Sequence, residues 1–126
     1  TNVKNTGNVV LAQSANITQA SGATTIVIPA NSQILEITVF VTTVWDGAAA
    51  TFGVGTTALA TKFTAAAAAT GGTVGIVSIT PSTDATRTAA FIDVGTADAK
   101  IVVTSTNTGA GVGVITVRYV QNLNLL

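Results

Sequence analysis

The sequence predicts an all-β fold, an antiparallel β-sandwich of about eight strands and jelly-roll-like in type. Three observations carry that expectation. Stretches of period-two hydrophobicity rich in Val, Ile and Thr recur along the chain, as strands with one buried face require. Gly, Pro, Asn and Asp clusters punctuate them at intervals of roughly 8–12 residues, the spacing of sandwich and barrel proteins. No amphipathic helix is available for parallel crossovers, so the strands must pair antiparallel.

Taken in order, short strands are expected over residues 9–13 and 24–28, with a turn at Ser21-Gly22 between them. Pro29-Ala30-Asn31 then turns the chain into the clearest strand, residues 33–44. There Leu35, Ile37, Val39 and Val41 fall on one face, and Glu36, Thr38, Phe40 and Thr42 on the other. Asp46-Gly47 ends it. Further strands are expected over 51–54, 73–79, 88–94 and 100–105, separated by Gly71-Gly72, by Pro81-Ser82-Thr83-Asp84 and by Asn107-Thr108-Gly109. The last strand, 112–121, sets Ile115, Val117 and Tyr119 against Val114, Thr116 and Arg118. Residues 59–70 are the one helix candidate. Ala65 to Ala69 has high helical propensity, yet no apolar stripe, so a short helix and an irregular loop are both open. Phe52-Gly53-Val54-Gly55-Thr56 echoes Phe91-Ile92-Asp93-Val94-Gly95-Thr96. We read the echo as two hairpins reusing one strand-to-turn solution, since one echo is no repeat array.

The length, 126 residues, suits one domain. The expected layout is a single sandwich over 1–126 with an N-terminal arm of about ten residues and a tail over 121–126. Five basic and five acidic residues cancel, and only 8% of residues are charged, against roughly 25% in typical soluble domains. That leaves no basic patch for nucleic acid and no polybasic membrane anchor. The longest apolar run is far short of the ~20 residues that span a bilayer, and Lys4 is followed by Asn-Thr-Gly, not by the apolar stretch of a signal peptide. A surface so poor in charge suits a molecule largely covered by other subunits.

His and Cys are absent, which removes Ser-His-Asp and Cys-His nucleophile systems and imidazole or thiolate metal ligands. A carboxylate pair is the remaining route to hydrolysis. Asp46 and Asp84 read as turn formers, however, Glu36 as a polar-face residue, and Asp93 and Asp98 as the solvated ends of a turn around Gly95. Asp93 and Asp98 could offer oxygen ligands to calcium, without any EF-hand or RTX pattern. Gly53-Val54-Gly55 and Gly109-Ala110-Gly111-Val112-Gly113 match no phosphate-binding fingerprint. The expectation is no enzyme, no cofactor and no metal.

Apolar residues at exposed positions are more informative. Phe40 lies on the otherwise polar face of its strand, Trp45 at that strand's exit, and Leu123, Leu125 and Leu126 past the last strand. Each has a plain structural alternative: Phe40 under a loop, Trp45 capping the core, the tail folded back. As exposed apolar groups they are the candidate subunit contacts.

Residues 28–37 (Ile-Pro-Ala-Asn-Ser-Gln-Ile-Leu-Glu-Ile), the run Val39-Phe40-Val41-Thr42-Thr43-Val44-Trp45-Asp46-Gly47, and Phe52-Gly53-Val54-Gly55-Thr56 together resemble small virion proteins of tailed bacteriophages. Head decoration (cement) proteins are among them. The resemblance covers roughly residues 24–120. It implies a jelly-roll or related sandwich, often a homotrimer, seated on the outer capsid surface and bridging subunits of the major capsid protein against the pressure of packaged DNA. It carries over no catalytic residue. The rival readings are a carbohydrate- or receptor-binding module of a phage fibre, for which exposed aromatics are scarce, and a pilus or surface-layer subunit joined by strand donation.

Overall fold

The computed structural model describes residues 9–121. Its elements are β1 (Val10–Thr18), β2 (Gly22–Ile28), β3 (Gln33–Thr43), β4 (Thr51–Thr56), β5 (Ala69–Thr70), β6 (Gly75–Ile79), α1 (Ala85–Ile92), β7 (Ala99–Ser105) and β8 (Val112–Val120). Each strand of the first half pairs antiparallel with its counterpart in the second: β1 with β8, β2 with β7, β3 with β6 and β4 with β5. The chain is thus one long hairpin, rolled so that successive arms fall in opposite sheets. The result is two four-stranded sheets of order β1-β8-β3-β6 and β2-β7-β4-β5. That is the double Greek key of a jelly roll.

Alternation places the core between the sheets. Ile37, Val39 and Val41 of β3 and Ile115 and Val117 of β8 are fully buried from one side. Ile26 and Ile28 of β2, Phe52 and Val54 of β4, and Ile101 and Val103 of β7 meet them from the other. Each such side chain contributes about 1.5–3 kcal/mol of transfer free energy, which is what holds together a domain without disulfides.

The pattern of β3 departs from the simple alternation at one point. Ile34 pairs with Tyr119 and Glu36 with Arg118, so Leu35 is an extra residue in a bulge. The bulge turns Leu35 out to solvent and sends Ile34 into the core in its place, which corrects the expected inward face. At the open seam between the sheets, Gln13 does what a neighbouring strand would do. Its side-chain amide donates to Val27 O at 2.7 Å and accepts from Val27 N at 3.2 Å.

Two sequence expectations are overturned, the strand over 88–94 and the shared hairpin behind the echo, and the open alternative at 59–70 is decided for the loop. Residues 88–94, expected as a strand, belong mostly to α1, the only helix among the described residues. Asp84 is its N-cap, with Oδ1 accepting from Arg87 N at 2.9 Å. Residues 59–70 are not a helix. They form an irregular loop ending in the two-residue β5, with Ala67 in the left-handed region at φ 58°. Alanine propensity cannot nucleate a helix that has no face to bury. The echo between 52–56 and 91–96 is therefore not structural, since the first copy is β4 and the second is the end of α1 and its exit.

The loop between β4 and β5 instead covers the outer side of β4. Gly55 permits this, because a Cβ there would run into the backbone carbonyl of Ala60. Phe63 of the loop meets Phe91 of α1 edge-on, ring centroids 5.6 Å apart. Lys62 Nζ donates to Val94 O at 2.9 Å and Arg87 Nε to Thr61 O at 3.1 Å, tying loop and helix together.

Candidate interaction surface

With the outer side of β4 under its loop, the bare broad face is the outside of the β1-β8-β3-β6 sheet. Strand register sorts its side chains into transverse rows. Asn16, Val114, Phe40 and Ile76 stand opposite one another across all four strands. The next row is all hydroxyl: Ser14, Thr116, Thr38 and Ser78, with Ser14 Oγ and Thr116 Oγ1 2.8 Å apart. Beyond it Ala12, Arg118 and Glu36 align, and Arg118 Nη1 donates to Glu36 Oε2 at 3.0 Å.

The first row is apolar apart from Asn16, and open. Phe40 is 50% exposed and Ile76 67%, and the exposed Val74 and Val112 lie two residues from Ile76 and Val114 respectively. Phe40 is thus no loop-covered residue but a phenyl ring presented to solvent from a rigid strand. Ile76 went unnoticed in the sequence because Gly75-Ile76-Val77-Ser78-Ile79 has apolar residues at both parities. Only its register opposite Phe40 shows that it faces out.

Trp45 occupies the opposite kind of environment. It is 2% exposed, its ring centroid is 5.4 Å from that of Phe52, and its backbone N–H donates to Gly71 O at 2.9 Å. Gly71 and Gly111 both lie against the indole: a Cβ on either would come 2.7 or 2.5 Å from its ring carbons. Trp45 therefore caps the core and has no surface left for a neighbour, which corrects its place among the candidate contacts. Leu123, Leu125 and Leu126 lie outside the described residues. The strands flanking the chain ends leave together, Val10 pairing with Val120.

Asp46, next to Trp45, belongs to a polar knot centred on the buried Gln19. Gln19 Nε2 donates to Asp46 O at 2.6 Å, while Gln19 Oε1 accepts from Asp46 N at 2.9 Å and from Gly111 N at 3.1 Å. Asp46 Oδ1 accepts from Ala110 N at 3.0 Å. Three loops are pinned at this end of the sandwich. At the other end, Asp93 Oδ1 accepts from Gly95 N at 2.9 Å and Asp98 Oδ1 from Ala30 N at 3.0 Å. Both carboxylates considered as calcium ligands thus accept from backbone, Asp93 within its own turn and Asp98 across to the turn between β2 and β3. A cleft of about 370 Å³ between Thr56, Lys62, Thr96, Asp98 and Lys100 lies at that end, with Lys62 and Asp98 already engaged by main-chain groups.

No protein-family model matches the sequence, and no curated protein matches it either. Solved structures do resemble it. A chain of the acidic stable capsid structure of Helicobacter pylori bacteriophage KHP30 is 14% identical, with a TM-score of 0.54 over 90% of this chain and 89% of that one. A chain of the cyanophage Pam1 capsid asymmetric unit is 16% identical, with a TM-score of 0.49 over 95% and 90% of the respective chains. At 14% identity the likeness to the first is one of fold.

Proposed function

We propose that this chain is a structural protein of a bacteriophage virion, a decoration or cement subunit that binds the outer capsid lattice and bridges the major capsid protein. The observation that carries this reading is the solvent-facing apolar row of Phe40 and Ile76 on a sheet that is otherwise well packed. Exposed apolar strips of this kind mark surfaces meant to be covered, and a chain with 8% charged residues has little else to keep it soluble alone. The fold shared with a chain of a phage capsid structure supports the same reading, as does the recurrence of jelly rolls among viral capsid domains.

The action is mechanical, not chemical. A subunit that binds the assembled lattice and not its dissociated parts stabilises the lattice by its binding free energy. Repetition over a shell multiplies modest contacts into avidity. The tail holding Leu123, Leu125 and Leu126 and the Phe40 face are the proposed contacts. The carbohydrate-binding alternative loses its best platform, since a buried Trp45 cannot stack on a sugar ring.

The test is addition of the purified protein to undecorated phage shells, followed by cryo-electron microscopy and thermal disruption. Ordered density on the shell exterior and a raised disruption temperature are expected. Shells that remain bare at saturating protein overturn the proposal.

A further inference from the structure

We infer that the cleft beside β7 is a binding site for a single carboxylate, and that the carboxylate is an acidic side chain of the protein this chain is bound to. The carrier of that carboxylate rests on the virion reading above; the site itself does not.

Ion pairing sorts the cations into two kinds. Five side chains are basic, and with Lys4 outside the described residues four remain. Arg87 is paired with Asp84 and Arg118 with Glu36. Lys62 and Lys100 have no ion pair among the described residues, and both line the same cleft of about 370 Å³. Like charges brought to one place repel, so the cleft is a positive site that ion pairing within this chain does not neutralise. Asp98 is the one carboxylate in its lining. It is held by Ala30 N at 3.0 Å and pairs with neither lysine.

Separate elements fix the donors before any ligand arrives. Lys62 Nζ, from the loop after β4, donates to Val94 O at 2.9 Å, which anchors the ammonium and leaves two of its three N–H groups for a ligand. Lys100 is exposed between the buried Ala99 and Ile101, so it projects from a paired strand. The bend between α1 and β7 supplies Thr96 and Ala97, whose amides bond to no other described residue. Thr57 adds an exposed hydroxyl. Donors held in place in advance bind at a lower ordering cost.

Charge fixes the ligand class and magnitude its carrier. Lys62 and Lys100 against Asp98 leave the lining with one net positive charge, which a monoanion matches. Phosphate carries about two negative charges and favours arginine forks, and both described arginines are engaged elsewhere. An exposed ion pair strengthens binding by at most about fivefold, so a free carboxylate is held only at millimolar concentrations. The contact becomes effective when other contacts already hold the carboxylate alongside, as on a surface repeated copy by copy.

Heteronuclear NMR of the full chain tests the site, by titration at constant ionic strength with N-acetylglutamate α-amide, whose side chain is its one carboxylate. The amide signals of residues 95–100 are expected to shift saturably with a Kd on the order of 10 mM, and to stay still with N-acetylglutamine α-amide. Lys62→Gln and Lys100→Gln are each expected to weaken binding about threefold to fivefold. Asp98→Asn keeps the oxygen that faces Ala30 N and removes the opposing charge, so it is expected to tighten binding about threefold. A merely structural cleft would show no such gain. Inorganic phosphate and glucuronate are expected to bind no tighter than the glutamate probe. No saturable shift, or shifts indifferent to all three variants, overturns the site; tighter phosphate or glucuronate overturns the ligand class. Addition to undecorated shells tests the carrier, with Lys100→Gln expected to decorate more weakly than wild type. Equal decoration overturns the partner carboxylate. Shells that stay bare with wild type overturn the virion reading, and the carrier with it, while the titration still decides the site.

Discussion

The side chain of Gln19 and the backbone of Asp46 are joined in both directions, with Gln19 Nε2 donating to Asp46 O at 2.6 Å and Gln19 Oε1 accepting from Asp46 N at 2.9 Å. The amide imitates a strand pairing where no strand reaches, and its oxygen also accepts from Gly111 N. Gln19 is fully buried, so truncation leaves donors and an acceptor without water to replace it. Gln19→Ala is expected to cost about 2–4 kcal/mol, from several orphaned groups at about 1–3 kcal/mol each with partial relaxation. Urea denaturation of wild type and variant measures it. A loss below about 0.5 kcal/mol, the range of ordinary surface changes, would show that the loops hold without the knot.

Trp45 supplies the reporter for the same end of the molecule, being the only tryptophan. Gly111→Ala would place a methyl group 2.5 Å from Trp45 Cε3, and Gly71→Ala one 2.7 Å from Cδ2. Both contacts are too short, and the indole has Phe52 behind it. Overpacking of this kind costs typically about 1–3 kcal/mol. Each variant is expected to shift Trp fluorescence to the red as the ring is pushed toward solvent, with a lower melting temperature. Unchanged emission in both would mean the ring is not clamped.

These two sites show what the sequence could and could not express. The alternation of Ile37, Val39 and Val41 against Thr38 and Phe40 was legible because strand period is a property of neighbouring residues. Phe40 could be picked out as exposed by the same logic. The turn at Asp46-Gly47 was legible too, but not its partner Gln19, which lies 27 positions away and has no local signature. Leu35 was misplaced because a bulge is set by pairing with β8, not by the residues of β3. Helix α1 was hidden by Thr88, Phe91 and Ile92, side chains that favour strands, and its N-cap Asp84 read as a turn former. Ile76 needed the β3–β6 register before its direction could be known.

Asp84 holds α1 in two ways, with Oδ1 capping Arg87 N and Oδ2 3.1 Å from Arg87 Nη1. The ion pair is partly exposed and adds little, so the cap carries most of the effect. Asp84→Ala is expected to cost about 1 kcal/mol, and Asp84→Asn, which keeps the capping oxygen, clearly less. Hydrogen exchange should show the loss in α1 and in the loop that Arg87 holds through Thr61 O. Equal loss in the two variants would assign the effect to the ion pair instead.

Glu36 and Arg118 form an exposed cross-strand pair at 3.0 Å. Solvent screening and the entropy of two long side chains limit such pairs to about 0–1 kcal/mol. Glu36→Gln is expected to change stability within that range, and less at high salt, where surface charges are screened beyond about 3 Å. Denaturation midpoints at low and high ionic strength check this. A loss well above the range would place the pair among the main supports of the sheet.

Gly55→Ala reverses an ordinary expectation. In a strand, replacing glycine by alanine usually helps, because the unfolded chain loses freedom and the strand gains a side chain. Here the outward position of β4 is roofed by the loop that follows it, and a methyl group would meet the carbonyl of Ala60. That atom is main chain, and the loop is tethered on either side of it: Thr56 N donates to Leu59 O at 2.9 Å, and Phe63 N and Thr64 N donate to Val54 O at 3.2 and 3.1 Å. The methyl group can be accommodated only by lifting the loop, which also loosens Phe63 from Phe91. The expected cost is about 2–4 kcal/mol, overpacking together with part of the lost burial of Phe63. Limited proteolysis should find new cleavage between β4 and β5, with the opposite sheet still protected. A Gly55→Ala protein as stable and as protease-resistant as wild type would mean the loop lies farther from β4 than this structure places it.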